Sequence, residues 1–182
     1  MTEFLGDPRE FIAKTAAGLA EVGIDRGEIA SMDHICYRVE TAAQYKKFSK
    51  KALEIANLVA INKVNGRDIG TYEFYNYLEA AGYVVPFLEL PEPKPSKPYR
   101  EGWEHVELVT AGTLKRFRER HPNLPFSDAD TDKVINPELG LKVPVSMGML
   151  VVKFHEQSIG SVAGIEQRLE AQGINYDVRN RG

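Results

Sequence analysis

Two histidines occupy equivalent positions in this 182-residue chain. His34 follows an aspartate at the start of one apolar, strand-like run, and His105 follows a glutamate at the start of another, 71 positions later (105 minus 34). Each run leads through a threonine into a helix-like stretch, which indicates a duplicated unit. A buried-strand histidine repeated in both halves predicts a shared metal site, and the alternative is a pair of core histidines with satisfied hydrogen bonds.

The alternation of side chains along a strand indicates which residues accompany these histidines. Successive side chains point to opposite faces, so Cys36 and Arg38 share a face with His34. Glu107 shares a face with His105 in the same way. A cleft with two histidines and one or two carboxylates, and with positions left for water or substrate, suits Zn, Ni, Mn or Fe(II). Cys36 is expected to be a small buried hydrophobe rather than a nucleophile.

A third metal ligand is predicted at the end of the last strand of the first half. Glu89 closes an apolar run just before a proline-rich segment. Matching this run with the last apolar run of the second half places Glu156 opposite Glu89, at an offset of 67 (156 minus 89). The internal repeat therefore makes Glu156 one candidate for the fourth ligand.

The hydrophobic pattern predicts the elements that must position these residues. Each half follows the order β-α-β-β-β, and Asn65-Gly66 is a strong signal for a tight hairpin turn in the first half. Thr41 and Gln44 form a predicted capping box at the start of the first-half helix. The predicted strands are 32–39, 58–64, 67–77 and 83–89 in the first half and 103–109, 126–135, 141–147 and 150–155 in the second, with helices over 41–55 and 111–121.

We expect a single domain over residues 1–182, because a chain of this length can bury one hydrophobic core. The last helix is predicted over 162–172, with Ser161 as its cap and Gly173 as its stop. The predicted parts are a helical extension at 1–30, a first module at 31–90, a proline-rich linker at 91–101, a second module at 102–157 and a C-terminal helix and tail at 158–182.

The composition argues against several classes of function. A formal net charge of −3 with no basic face disfavours a nucleic-acid partner, and no apolar stretch approaches the roughly 20 residues of a membrane span. The single cysteine excludes an internal disulfide and favours a reducing, cytoplasmic location. The chain also has no nucleophile elbow, phosphate-binding loop, dinucleotide fingerprint or Cys-x-x-Cys motif. We expect a small-molecule partner and a monomer or homodimer.

Several short motifs carry a resemblance to a known family. They are Asp33-His34-Ile35 followed by Arg38, Asn65-Gly66-Arg67, Glu89-Leu90-Pro91, Glu101-Gly102-Trp103-Glu104-His105 and Lys153-Phe154-His155. The duplicated β-α-β-β-β order resembles the vicinal oxygen chelate superfamily, and the motifs look most like the YecM family within it. The resemblance covers about residues 31 to 156. It implies an α+β fold in which two βαβββ modules with curled mixed sheets form a shared cleft, with N- and C-terminal helices added.

The resemblance also implies a set of metal ligands. In metal-binding members of the superfamily, first-strand histidines and last-strand carboxylates bind a divalent ion in the cleft. These correspond to His34, His105 and Glu89 in this chain. The last of the family-like motifs points to His155 as the fourth ligand in place of Glu156. Because neighbours in a strand point to opposite faces, only one of the two enters the cleft, and we favour His155.

Arg38 and Arg67 are the candidate substrate-binding residues. Arg38 lies on the cleft face, where it would hold a carboxylate or phosphate through bidentate hydrogen bonds, and its alternative is a salt bridge to Glu107. Arg67 follows the hairpin glycine, and its alternative is a surface turn residue. Glu107 is a candidate general base if burial raises its pKa. Arg38 and Glu107 are therefore the predicted catalytic residues.

Together these residues predict a divalent-metal-dependent enzyme of the vicinal oxygen chelate type. The metal (Zn, Ni, Mn or Fe) would act as a Lewis acid on a small oxygen-rich or carboxylate substrate, chelating adjacent oxygens and stabilising an enolate-like intermediate. Isomerase, lyase and dioxygenase chemistry all stay open. Two alternatives stay open as well: a metal-free module of the same fold that binds a small molecule, and a metal kept for structure alone.

Overall fold

A computed structural model describes residues 4–64, 66–94, 99–146 and 148–174 of the chain. The hairpin residue Asn65, the middle of the proline-rich linker at 95–98, Met147 and the tail at 175–182 lie outside the described residues. In chain order the elements are α1 (Arg9–Glu21), β1 (Ile29–Arg38), α2 (Ala42–Ala52), β2 (Ala56–Val64), β3 (Arg67–Ala80), β4 (Tyr83–Pro91), β5 (Gly102–Thr110), α3 (Leu114–Arg120), β6 (Ser127–Asp130), β7 (Glu138–Val145), β8 (Gly148–His155) and α4 (Ile159–Ala171). The β-α-β-β-β order predicted for each half is confirmed.

Two helix starts illustrate how local sequence sets these elements. α2 begins with the predicted capping box, in which Gln44 N donates to Thr41 Oγ1 at 3.1 Å and Thr41 N donates to Gln44 Oε1 at 3.0 Å. α4 begins earlier than predicted, and its cap is Ser158, whose Oγ accepts a hydrogen bond from Gly160 N at 3.1 Å. The predicted cap at Ser161 is wrong, because Ser161 N already donates to the Ser158 carbonyl within the first turn.

The eight strands form one mixed, curled sheet in the order β2-β3-β4-β1-β5-β8-β7-β6. β1 and β5 pair antiparallel at its centre, while β4 runs parallel to β1 and β8 runs parallel to β5. At the central crossing, the paired residues are Ile35 with Val106, His34 with Glu107 and Cys36 with His105. His34 and His105 are 71 positions apart, and so are Cys36 and Glu107, which makes the pair His34–Glu107 the symmetry equivalent of the pair His105–Cys36. A pseudo-two-fold axis between Ile35 and Val106 therefore relates the two halves.

The terminal helices pack on strands of both halves of the sheet. α1 packs mainly against β7 in the second module and also against β3 in the first, and α4 packs against β2 and β3 in the first. The approach of α1 is close, because a β-carbon built on Gly18 would lie 2.5 Å from the carbonyl oxygen of Pro144. On α4, Val162 and Ala163 are buried. The two helices thus contact strands β2, β3 and β7 of the sheet.

The two modules share one hydrophobic core. Its largest fully buried side chains include Tyr72 and Leu88 in the first module and Leu108, Phe117 and Phe154 in the second. In the described ranges, none of the helices is long and apolar enough to cross a membrane. The α+β fold predicted from the sequence, with paired βαβββ modules and added terminal helices, is the one observed.

Candidate metal centre

The two first-strand histidines lie close together beside the pseudo-two-fold axis. Their ring centroids are 6.3 Å apart, and His34 and His105 are only 1% and 5% exposed. Nδ1 of His34 lies 3.0 Å from Oδ2 of Asp33, and Nδ1 of His105 lies 3.0 Å from Oε2 of Glu104. A proton on Nδ1, donated to that carboxylate, leaves Nε2 as the atom that can bind a metal.

Both Nε2 atoms are buried and have no hydrogen-bond partner among the described residues. They face two carboxylates: Oε1 of Glu107 lies 3.6 Å from Nε2 of His34 and 3.3 Å from that of His105, and Glu89 lies 3.9 Å from each. One ligand atom from each of the four residues lies within 4.8 Å of all the others. Ligands about 2.0–2.1 Å from a tetrahedral zinc ion are about 3.3 Å apart, so a small adjustment fits this cluster to a divalent ion.

Glu107 lies between the two first-strand histidines and His155. Its Oε1 faces the two first-strand histidines, while its Oε2 lies 2.5 Å from Nε2 of His155. His155 Nδ1 lies 3.2 Å from the Pro137 carbonyl oxygen. The structure therefore brings together three of the four predicted ligands with Glu107, and it groups His155 with Glu107 and Glu138 instead. Glu156 accepts a hydrogen bond from Leu114 N at 2.8 Å, at the start of α3.

Lys153 adds a positive charge to the cluster. Its Nζ lies 2.8 Å from Oε1 of Glu107 and 3.6 Å from Oε2 of Glu138. Glu138 is also held by Lys133, at 3.0 Å. Glu107 is thus contacted by a lysine on one oxygen and a histidine on the other, which fixes the direction of its carboxylate.

These buried charges shift pKa values in opposite directions. Burial lowers the pKa of His34, but the charge of Glu107 and the hydrogen bond to Asp33 outweigh it and raise that pKa to about 10. Burial raises the pKa of Glu107, but the charges of Lys153 and His34 hold it well below its usual range. Both shifts favour the charged forms, imidazolium and carboxylate, in the metal-free protein, and a metal ion that binds a histidine nitrogen would have to displace its proton.

Arg38 lies beside the cluster, and Arg67 lies farther along the same cavity. Arg38 Nε pairs with Glu104 rather than with Glu107, and its guanidinium lies 4.9 Å from the ring centroid of Tyr99. Arg67 Nη1 donates to the Glu92 carbonyl oxygen at 3.0 Å. Arg38 Nη1 and Arg67 Nε are buried, and neither has a hydrogen-bond partner within the described ranges. Both arginines therefore have a donor to offer a bound molecule.

A cavity of about 790 Å³ opens over the candidate metal centre. Its lining includes six cationic residues, Arg38, Lys63, Arg67, Lys94, Lys133 and Lys153, and five acidic ones, Glu89, Glu107, Asp130, Glu138 and Glu166. Ile159 and Val162 of α4 form part of its wall. A divalent metal would add two further positive charges to this lining, which favours an anionic substrate.

Two features of the site were missed by sequence reasoning. The acidic residue that precedes each histidine, Asp33 or Glu104, orients the imidazole, and its repetition in both halves was a visible signal. Lys153 belongs to the Lys153-Phe154-His155 motif, but its direct contact with Glu107 was not predicted. Cys36 is buried as expected, and burial raises the pKa of its thiol to about 11, which disfavours a nucleophilic role.

Comparison with known proteins gives a family match over most of the chain. A model of the YecM protein family matches residues 1–166. Protein YecM of Escherichia coli (strain K12) is 27% identical over 150 residues, which cover 74% of this chain and 78% of that protein. An uncharacterized protein of Haemophilus influenzae is 36% identical over 78 residues, which cover 43% of this chain and 41% of that protein.

Solved structures also resemble this one, and two of them illustrate the similarity. A structural-genomics structure described as Protein EC4020 aligns with a TM-score of 0.63 and 26% identity, covering 87% of this chain and 91% of that chain. A methylmalonyl-CoA epimerase in complex with methylmalonyl-CoA and NH4+ aligns with a TM-score of 0.49 and 13% identity, covering 74% of this chain and 98% of that chain. The likeness to Protein EC4020 confirms the predicted fold.

Proposed function

The chain belongs to the YecM family, as its motifs indicated, and we propose that it is a divalent-metal-dependent enzyme of the vicinal oxygen chelate type. Its substrate in this proposal is a small oxygen-rich or carboxylate compound. The supporting observation is the pair of buried Nε2 atoms of His34 and His105, which face two carboxylates and have no hydrogen-bond partner in the described part of the chain. Two imidazole nitrogens and two carboxylates that converge on one buried point form a set of donors suited to a divalent cation.

We assign the metal to His34, Glu89 and His105, which the sequence predicted, and to Glu107. Glu107 is preferred to His155 as the fourth ligand because its Oε1 faces both first-strand histidines. His155 contacts the other oxygen of Glu107 and is assigned the role of orienting it. Two imidazole nitrogens and two carboxylate oxygens suit Zn, Ni, Mn or Fe(II).

The side chains around the cluster are assigned to the substrate. When bound, the metal supplies a Lewis acid that polarises substrate oxygens. Arg38 and Arg67 bind the anionic end of the substrate, because each has a buried nitrogen without a partner in the described ranges and both line the cavity. Glu107 is assigned to the metal rather than to proton abstraction, because its pKa is held well below the usual range.

The proposal extends to partners and location. A small molecule is the expected partner, since charged side chains line the cavity around a cluster of histidines and carboxylates. We propose a cytoplasmic location without nucleic-acid or membrane partners, because the only cysteine, Cys36, is a free buried thiol and the net charge is −3. Both modules of one chain contribute to the cluster, so a monomer is sufficient and a homodimer is compatible.

The test is metal content, measured by mass spectrometry on protein purified without an affinity metal column. We expect close to one divalent ion per chain in the wild type and none in the double variant His34→Ala, His105→Ala. His121→Ala is the matched control, because His121 lies at the end of α3 and contacts Glu28 rather than the cluster. Wild-type protein that stays empty after incubation with Zn, Ni, Mn or anaerobic Fe(II) would overturn the proposal.

A second candidate function is a metal-free module that binds a small molecule. One observation favours it: the ammonium of Lys153 already lies 2.8 Å from Glu107 and is a fixed cation beside the cluster. Stoichiometric binding of oxalate by wild-type protein, unchanged by a chelator, would support this function. Binding that appears only after metal is added would support the enzyme instead.

A further inference from the structure

The last strands of the two modules place opposite charges at equivalent positions. Glu89 lies beside Cys36 across the parallel β1 and β4 strands, and Lys153 lies beside Glu107 across the parallel β5 and β8 strands. The pseudo-two-fold axis relates Cys36 to Glu107, which are 71 positions apart (107 minus 36). Lys153 is therefore the counterpart of Glu89. A symmetric site would have a carboxylate at both positions, and this site has one carboxylate and one ammonium.

Lys153 is in direct contact with one of the proposed metal ligands, Glu107. Its Nζ contacts Oε1 of Glu107, and this same oxygen faces Nε2 of both first-strand histidines. The second-half carboxylate that the symmetry would put at Lys153 is supplied by Glu107 from the neighbouring strand. The ammonium is thus held beside the ligands without being able to act as one, since it has no free lone pair.

Lys153 also has hydrogen-bond donors to spare. Its ammonium carries three N–H donors, and among the described residues only Glu107 lies within hydrogen-bond distance. Oε2 of Glu138, at 3.6 Å, is too distant for a hydrogen bond. The side chain is 27% exposed and lines the cavity. Two donors are therefore available to a molecule bound there.

We propose that Lys153 binds an anionic oxygen of the substrate next to the metal. This inference rests on the proposed metal-dependent function and adds a substrate class to it: a small acid whose carboxylate stands next to a second oxygen, as in a 2-hydroxy or 2-keto acid. Such a carboxylate interacts with two positive centres, the metal and the ammonium, and gains a charge-assisted hydrogen bond. An uncharged diol or catechol would leave the ammonium facing a neutral group.

The experiment uses the full-length protein loaded with Co²⁺, whose visible absorption reports on added ligands. Oxalate is the anionic probe and imidazole is the uncharged one. The variants are Lys153→Met, which removes the charge, and Lys153→Gln, which keeps a donor to Glu107 and protects the fold if the Met variant does not fold. Lys133→Met is the matched control, because Lys133 also lines the cavity but contacts Glu138.

Both Lys153 variants are expected to bind oxalate about tenfold more weakly or worse, because a hydrogen bond to a charged group is lost. Their affinity for Co²⁺ and imidazole should stay the same or rise, since a cation beside the metal has been removed. Unchanged oxalate affinity, or a parallel loss of Co²⁺, oxalate and imidazole binding, would overturn the role of Lys153 and leave the metal site standing. A wild type that does not bind Co²⁺ would overturn both proposals.

Discussion

The two halves of the sheet agree in their first strands and differ in their last strands. β1 and β5 each carry an acidic residue followed by a histidine, and both pairs have the same Nδ1-to-carboxylate distance of 3.0 Å. β4 and β8 carry Glu89 and Lys153 at equivalent positions. The shared part orients two imidazole rings, and the differing part makes the cavity asymmetric in charge. In the proposed function, the duplication would supply the metal site and the charge difference would set the direction in which the substrate binds.

The largest expected change in metal affinity concerns the ligand from the second half of the sheet, which we propose is Glu107. Glu107→Gln should weaken metal binding by more than the roughly 10- to 100-fold loss typical of residues that only orient a ligand. His155→Gln should fall within that range, because His155 contacts the far oxygen of Glu107. Competition titration with a fluorescent chelator measures both constants. A larger loss in the His155 variant would restore His155 as the ligand and move Glu107 to the supporting position.

A second test uses pH, because both first-strand histidines would bind a metal in their neutral form. The pKa of His34 in the metal-free protein is raised to about 10, so below that pH a proton must leave before a metal binds. Protons and metal compete for the same nitrogen, so metal affinity rises with pH, by about tenfold per pH unit for one proton released. Calorimetry in buffers of different ionisation enthalpy counts the protons. Metal affinity that is flat between about pH 6 and 9 would contradict the assignment of His34.

The contrast between the first and last strands also explains which parts of the fold and of the candidate site could be predicted from the sequence. The strand order, the two histidines and Glu89 follow from apolar runs and a repeated motif, which are local features. An alignment of the last strands by residue type makes Glu156 the equivalent of Glu89. The strand register instead makes Lys153 the equivalent of Glu89, three positions before Glu156. Register depends on the hydrogen bonds between β5 and β8, which no local pattern displays. The contact of Lys153 with Glu107 follows from that register and was therefore missed.

A third test asks whether the two orienting carboxylates are equivalent. Asp33→Asn and Glu104→Gln should each weaken metal binding by about tenfold, because each residue holds one imidazole through Nδ1. Asp33 Oδ2 also accepts a hydrogen bond from Ile159 N at 2.8 Å, at the start of α4. Hydrogen exchange in α4 should therefore rise in the Asp33 variant alone. Equal exchange in both variants would mean that α4 is held independently of the metal site.

The smallest expected effects concern one glycine in each terminal helix, because Gly18 and Gly164 differ in the space that is left for a β-carbon. A β-carbon on Gly18 of α1 would lie 2.5 Å from the Pro144 carbonyl oxygen, whereas one on Gly164 of α4 would meet only the Arg168 side chain, at 3.7 Å. Gly18→Ala should lower the free energy of unfolding by about 1–3 kcal/mol through overpacking. Gly164→Ala should raise it by up to about 1 kcal/mol through helix propensity. Urea denaturation measures both, and equal effects would mean that Gly18 is packed no more tightly than Gly164.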